Sequence, residues 1–179
     1  FQGINGPTFA LLALDSGNYE IPDNPDAKVQ ATREMYIDEI LSREIVDGGF
    51  TLGTDDDEIN IDITAMVLQA LAKYQDRKDV AEATERALDR LSREQNENGG
   101  YIAFDTESSE TIVQVIMALT ELGIDLQDDR FVKDGNSLLD RLMDFYVEGG
   151  GFMHILPQSN NNGGGAVGEL DPMATDQGF

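Results

Sequence analysis

The sequence predicts an all-α fold built from repeated helical hairpins, and three observations carry that prediction. The triplet Gly48-Gly49-Phe50 returns as Gly99-Gly100-Tyr101 and again as Gly150-Gly151-Phe152, at a constant spacing of 51 residues. Apolar residues at helical spacing flank each triplet. No stretch alternates apolar and polar residues over a useful strand length. A fixed period of this size marks a repeat architecture, in which each unit buries its apolar face against the next.

In chain order, helices expected at 27–44, 78–95 and 131–146 precede the three triplets. In the second, Val80, Ala83, Ala87, Leu88 and Leu91 share a face. In the third, Gly135, Leu138, Leu139, Leu142, Met143 and Tyr146 do the same. More apolar helices follow the first two triplets, ITAMVLQALAKY from Ile63 and TIVQVIMALTELG from Thr111. There Ile112, Val115, Ile116, Leu119 and Leu122 make one stripe that Val113 and Met117 widen, which predicts burial on most sides. Gly123 reads as a left-handed C-cap with Ile124 packing back on the last turn. Asp171-Pro172 reads as an N-cap followed by proline at the first helical position, opening a further helix. The triplets are the turns between helices: glycine supplies positive φ and the aromatic ring anchors the turn.

A chain of 179 residues fits one domain, and a chain of this length buries roughly 70% of its unfolded surface. Residues 1–3, Phe1-Gln2-Gly3, read as the remnant of an engineered protease-cleavage linker, leaving 4–179 as a single repeat domain cut short at its C-terminal end. Zero cysteines exclude disulfides and thiolate metal sites. A formal charge of −23, from 35 acidic and 12 basic residues, repels phosphate backbones and anionic headgroups, so no nucleic-acid partner and no membrane insertion are expected. No apolar run approaches the ~20 residues of a membrane span, and no charged start followed by a hydrophobic stretch marks a signal peptide within these residues.

On the three glycine-aromatic turns and the helix starts Asp62-Ile63-Thr64-Ala65, Glu110-Thr111 and Ala174-Thr175-Asp176-Gln177, the chain resembles the prenyltransferase and squalene-cyclase repeat superfamily. Within it, NGPTFALLALDSGNYEIP and DPMATDQ are similar to repeat domains of Gram-positive cell-surface proteins. The resemblance implies an α/α toroid, here incomplete with about three helix pairs, and an extracellular or cell-surface location. It also implies what chemistry to look for. Class II cyclases carry Asp-x-Asp-Asp-Thr-Ala at an inward helix start; the matching stretch is Asn60-Ile61-Asp62-Ile63-Thr64-Ala65, so only the middle acid remains as the candidate catalytic residue, Asp62. Without flanking carboxylates to tune it, Asp62 reads first as a first-turn acid complementing the helix dipole. The cyclase glutamine-aromatic motif matches as Gln95, Gly99 and Tyr101, with Glu44 and Tyr146 at the positions equivalent to Gln95. The prenyltransferase zinc site, which needs cysteine, is unavailable. The lone histidine, His154, follows the third turn and reads as a surface or turn residue.

The loop Asp55-Asp56-Asp57-Glu58 raises calcium, with Asp55, Asp57 and Glu58 as candidate ligands. It departs from an EF-hand, having Asn60 where the turn glycine belongs and Met66 at the twelfth position, and acids before a helix already serve its free amides. No cofactor is the first expectation. The third unit is longer than the second by about 17 residues and contains NNNGGG at 160–165; that composition reads first as a disordered loop. The expected function is a non-catalytic binding or interaction module of a bacterial cell-surface protein, whose partner is a protein or a small molecule, with self-association through the open end of the array. The alternatives are an enzyme acting on an isoprenoid or polysaccharide, with Asp62 or the acids at 55–58 as general acids, and a cobalamin-type binder.

Overall fold

A computed structural model describes residues 2–54, 58–160 and 164–179. Those residues are mostly helical, with seven α-helices and four strands of two residues each. They form two compact units, Phe1–Leu88 and Asp89–Phe179.

In the first unit α1 (Asn5–Ser16) packs against α2 (Arg33–Leu41) and α3 (Ile61–Leu71). Each start is chemically specified: Thr32 accepts the Met35 amide to cap α2, and Asn60 accepts the Ile63 amide to cap α3. Ile4, Leu11, Ile37, Ile40, Leu68 and Leu71 are fully buried. The carboxylate of Asp15, at the end of α1, joins three elements: Arg33 Nε donates to it at 2.8 Å and the Tyr74 hydroxyl at 2.6 Å. Burial, and then the Asp15 carboxylate that its hydroxyl serves, push Tyr74 up to about 12. A helix α4 (Lys78–Glu94) follows; its stripe Val80, Ala83, Ala87, Leu88 and Leu91 is buried as the spacing predicts.

In the second unit α5 (Ser109–Glu121) packs against α6 (Leu138–Met143) and α7 (Pro172–Gly178). The expected stop at Gly123 is present, with φ +70°. The Gly123 amide donates to Thr120 O at 3.0 Å and the Ile124 amide to Leu119 O at 2.9 Å, the paired bonds of a Schellman cap. Asp171 accepts the Met173 and Ala174 amides, and Pro172 opens α7. Hairpins β1 (Val132–Lys133) with β2 (Asn136–Ser137), and β3 (Tyr146–Val147) with β4 (Gly151–Phe152), are both antiparallel.

Several expectations are corrected. The first outer helix is shorter than 27–44, covering Arg33–Leu41. The third does not run over 131–146: residues 132–137 form a hairpin whose tip, Asp134 at φ +50° and Gly135 at φ +85°, is an Asp-Gly turn with both residues left-handed. Gly135 therefore cannot lie on a helix face. Helix α6 begins only after Ser137, which forms a capping box with Asp140. Leu138, Leu142 and Phe145 are buried there, whereas Leu139 and Met143 are exposed, and Met117 in α5 also faces solvent.

Candidate functional site

The three turns keep one backbone hydrogen bond through all three periods. Gly48 N–H donates to Ile45 O, Gly99 N–H to Asn96 O and Gly150 N–H to Val147 O, at 3.1, 2.9 and 2.9 Å. The aromatic residue of each turn, Phe50, Tyr101 or Phe152, is buried. Tyr101 differs from the two phenylalanines by a hydroxyl that makes no hydrogen bond within the described residues. Burial, with the negative charge of Glu94 adding to it, raises that phenol far above its ordinary value.

The starts of α3 and α7 grip the first and third of these turns. Thr64 Oγ1 accepts the Phe50 amide at 2.9 Å and donates to Phe50 O at 3.1 Å. Thr175 makes the same pair with Phe152, at 3.0 and 3.4 Å. Both threonines are the fourth residue after an N-cap, Asn60 or Asp171, whose own amide also donates to the aromatic residue's carbonyl. Thr111 is only the third residue after its N-cap, Ser108. One residue turns a helix by about 100°, and Thr111 Oγ1 accordingly meets Ser108 Oγ at 3.0 Å.

The position occupied by glutamine in the sequence motif ties each of the first two turns to a later segment by different chemistry. Glu44 accepts both Arg86 Nε and Nη2, at 2.6 and 2.7 Å. Gln95 Nε2 donates to Gly99 O at 2.9 Å and to Phe131 O at 3.0 Å. Tyr146, the third equivalent, sets its ring edge-on to Phe152, 5.5 Å between centroids.

The candidate acid Asp62 is the second residue of α3, half-buried in its first turn. The same position of α5 holds Glu110, which sequence reasoning did not select. Its carboxylate lies 2.8 and 2.9 Å from His154 Nδ1. His154 is therefore not a surface residue; it is buried, and its carbonyl accepts the Ser109 amide at 3.1 Å. Ser109 Oγ donates to Met153 O at 2.8 Å and to Glu110 at 3.1 Å. A serine, a histidine and a carboxylate thus meet, but Ser109 is wholly buried and the carboxylate sits between it and the imidazole Nδ1. Acyl transfer needs the imidazole to take the hydroxyl proton instead. What the cluster does is pin the segment after the third turn onto the start of α5.

The segment is ordered on both sides of NNNGGG. Met153, Ile155 and Leu156 are buried, and Met153 bridges to Leu170 and Ile155 to Val167. Within NNNGGG, residues 161–163 lie outside the described residues. So do Asp55 and Asp57 of the proposed calcium set; Glu58 is described and exposed. Among the described residues no group of three or more histidine, aspartate or glutamate side chains is placed to hold a metal ion, and no helix is long and apolar enough to cross a membrane. Asn60 caps α3 and Ser108 caps α5, while Glu107, just before Ser108, pairs with Arg141. Beside the first turn an open cavity of about 250 Å³ is bordered by Arg43, Glu44, Thr51 and Thr54.

Glycine-aromatic turns repeated at a constant interval between helices, two of them gripped by the start of a following helix, define a helical repeat protein. The squalene-hopene cyclase C-terminal domain family matches residues 35–142; the chain belongs to that family, within the squalene-cyclase and prenyltransferase-like superfamily. None of the curated proteins matches.

Proposed function

We propose that this chain is a non-catalytic binding or interaction module, an incomplete α/α toroid serving as scaffold in a bacterial cell-surface protein, with a protein or small-molecule partner. The observation that carries the reading is the state of the acid at the second helix start. A cyclase acid must meet an alkene in a cleft and be tuned by neighbouring carboxylates. Glu110 is instead tied to His154, with both side chains about nine-tenths withdrawn from solvent, and Asp62 lacks the flanking acids of the cyclase motif. The cavity beside the first turn supports binding over chemistry: it is open to solvent, with Arg43 and Glu44 beside Ile45 and Val46 on its wall, whereas carbocation chemistry needs a chamber closed to water.

The test is thermal unfolding alone and with calcium, farnesyl diphosphate or cobalamin. A ligand at a hundredfold its dissociation constant adds about 2.7 kcal/mol to the folded state, enough to displace the midpoint visibly. A shift with cobalamin or calcium identifies the ligand class of the module. A shift with farnesyl diphosphate, accompanied by turnover that Asp62→Asn abolishes, contradicts the non-catalytic reading.

A further inference from the structure

The turn glycines are packing surfaces as well as hinges. A Cβ on Gly48 would stand 2.5 Å from the carbonyl oxygen of Arg86, and one on Gly99 would stand 2.6 Å from that of Ser137. Arg86 and Ser137 are themselves one 51-residue period apart. The same interface is therefore made twice: a turn glycine, held at φ +89° or +88°, lies bare against a carbonyl of the next period's outer segment. The third copy of that glycine is Gly150, which lies outside the left-handed region and whose Cβ position is filled by Leu170 Cδ1 of the same chain, so the bare-glycine contact is not repeated there.

The neighbouring outer-helix face follows the same course. The register Ile37, Leu88, Leu139 runs from 2% to 1% to 46% exposed. On the third face Met143 is 50% and Tyr146 37% exposed. One period before Arg86 stands Met35, in the first turn of α2, and it too is exposed, at 45%. The first interface sets Glu44 against Arg86 as an ion pair. At the two uncovered positions of that pair the sequence places Tyr146 and Met35, an aromatic ring and a thioether, which attract one another as readily as the charges they replace.

We propose that the Leu139–Met143–Tyr146 face docks on the Met35 end of α2 in a second copy of this chain, head to tail, in the register that sets Glu44 against Arg86 in the first interface. Such a contact joins two different surfaces, so a pair keeps one of each free and assembly grows beyond two unless it closes. With a formal charge of −23 on every copy, mutual repulsion opposes association, and salt that screens it strengthens assembly. This contact is independent of the proposed ligand-binding role, because neither surface borders the cavity at the first turn.

The experiment is light scattering of the purified chain over a concentration series at low and high salt, with Met35→Glu and Leu139→Glu as variants. Both side chains are exposed and both sites lie in a first helical turn, where an acid is tolerated; circular dichroism checks that each variant is folded. The expected result is a wild-type mass that rises with concentration and with salt, two variants that are each monomeric, and a one-to-one mixture of them that forms a dimer and stops there. Only a head-to-tail contact restores pairing between two defective partners. A wild type that stays monomeric at every concentration and salt overturns the proposal and assigns the face to further repeats or a different protein. Association that survives both variants, or a mixture that stays monomeric while the wild type assembles, overturns it as well.

Discussion

Phe50 and Tyr101 hold the same register position one period apart and are both fully buried, yet they are held by different means. At Phe50 the backbone is gripped on both sides by a threonine hydroxyl from the following helix. At Tyr101 the equivalent threonine faces its own cap. The cause is a one-residue difference in helix start, which follows from the intervening chain. After Tyr101 it reverses tightly, Ala103 pairing with Thr106 across Phe104 and Asp105 at φ +52° and +61°, so Ser108 caps α5 one residue closer to its threonine. The repeat thus preserves aromatic burial and the glycine turn, while the contact that fixes the turn varies with the loop behind it.

Ring removal should not distinguish the two turns. Phe50→Ala and Tyr101→Ala each empty a closed core site, and each should cost about 3–5 kcal/mol in urea unfolding; a loss at one turn less than half that at the other would show that the clamp, rather than the ring, anchors the repeat. Breaking the pin of the second unit comes next. Glu110→Gln leaves the buried imidazole without its charged acceptor and should cost about 1.5–3 kcal/mol, with faster amide exchange over residues 153–156 while the first unit's amides are unchanged. An unaltered exchange pattern would mean that the apolar contacts of Ile155 and Leu156 suffice to hold the segment.

Smaller still, and opposite in sign, is Tyr101→Phe. It makes the second turn like the other two and removes a buried hydroxyl that has no hydrogen bond within the described residues, so stability should hold or rise by up to about 1 kcal/mol. A clear loss would reveal a partner for that hydroxyl. Tyrosine titration followed by ultraviolet absorbance separates the environments without any substitution. Tyr74 and Tyr101 both favour the neutral phenol in the folded chain. The unfolded chain ionises first, near the ordinary value of about 10, so their contribution is complete below that pH and is lost as pH rises through the folded value, about 12 for Tyr74. The late-titrating absorbance should therefore appear together with alkaline unfolding.

What the sequence made legible follows from how far apart the interacting residues lie. The turns could be read because three positions recur at a constant interval, and the caps at Gly123 and Asp171 because each is settled by residues within one helical turn. The hairpin at 132–137 was equally local, written in Asp134-Gly135 and in Ser137 with Asp140. It was obscured because Leu138, Leu139, Leu142 and Met143 extend a convincing helical period back across it. The Glu110–His154 pair was beyond reach: its members are 44 residues apart, and they meet where the chain after the third turn packs on the start of α5, with Ile155 and Leu156 buried beside it. No pattern in either local sequence encodes that contact. The exposure of Leu139 and Met143 was illegible for a related reason, since an amphipathic period shows which residues share a face and says nothing of whether a partner covers it.

The most direct test of the difference between the turns is equilibrium unfolding of Thr64→Val beside Thr111→Val, which conserve shape and remove only the hydroxyl. Thr64→Val strips the buried Phe50 amide of its acceptor and should cost about 1–3 kcal/mol, whereas Thr111→Val loses a single hydroxyl contact and should cost about 1 kcal/mol or less. Equal losses, or a larger loss at Thr111, would contradict the claim that helix register decides which turn is clamped.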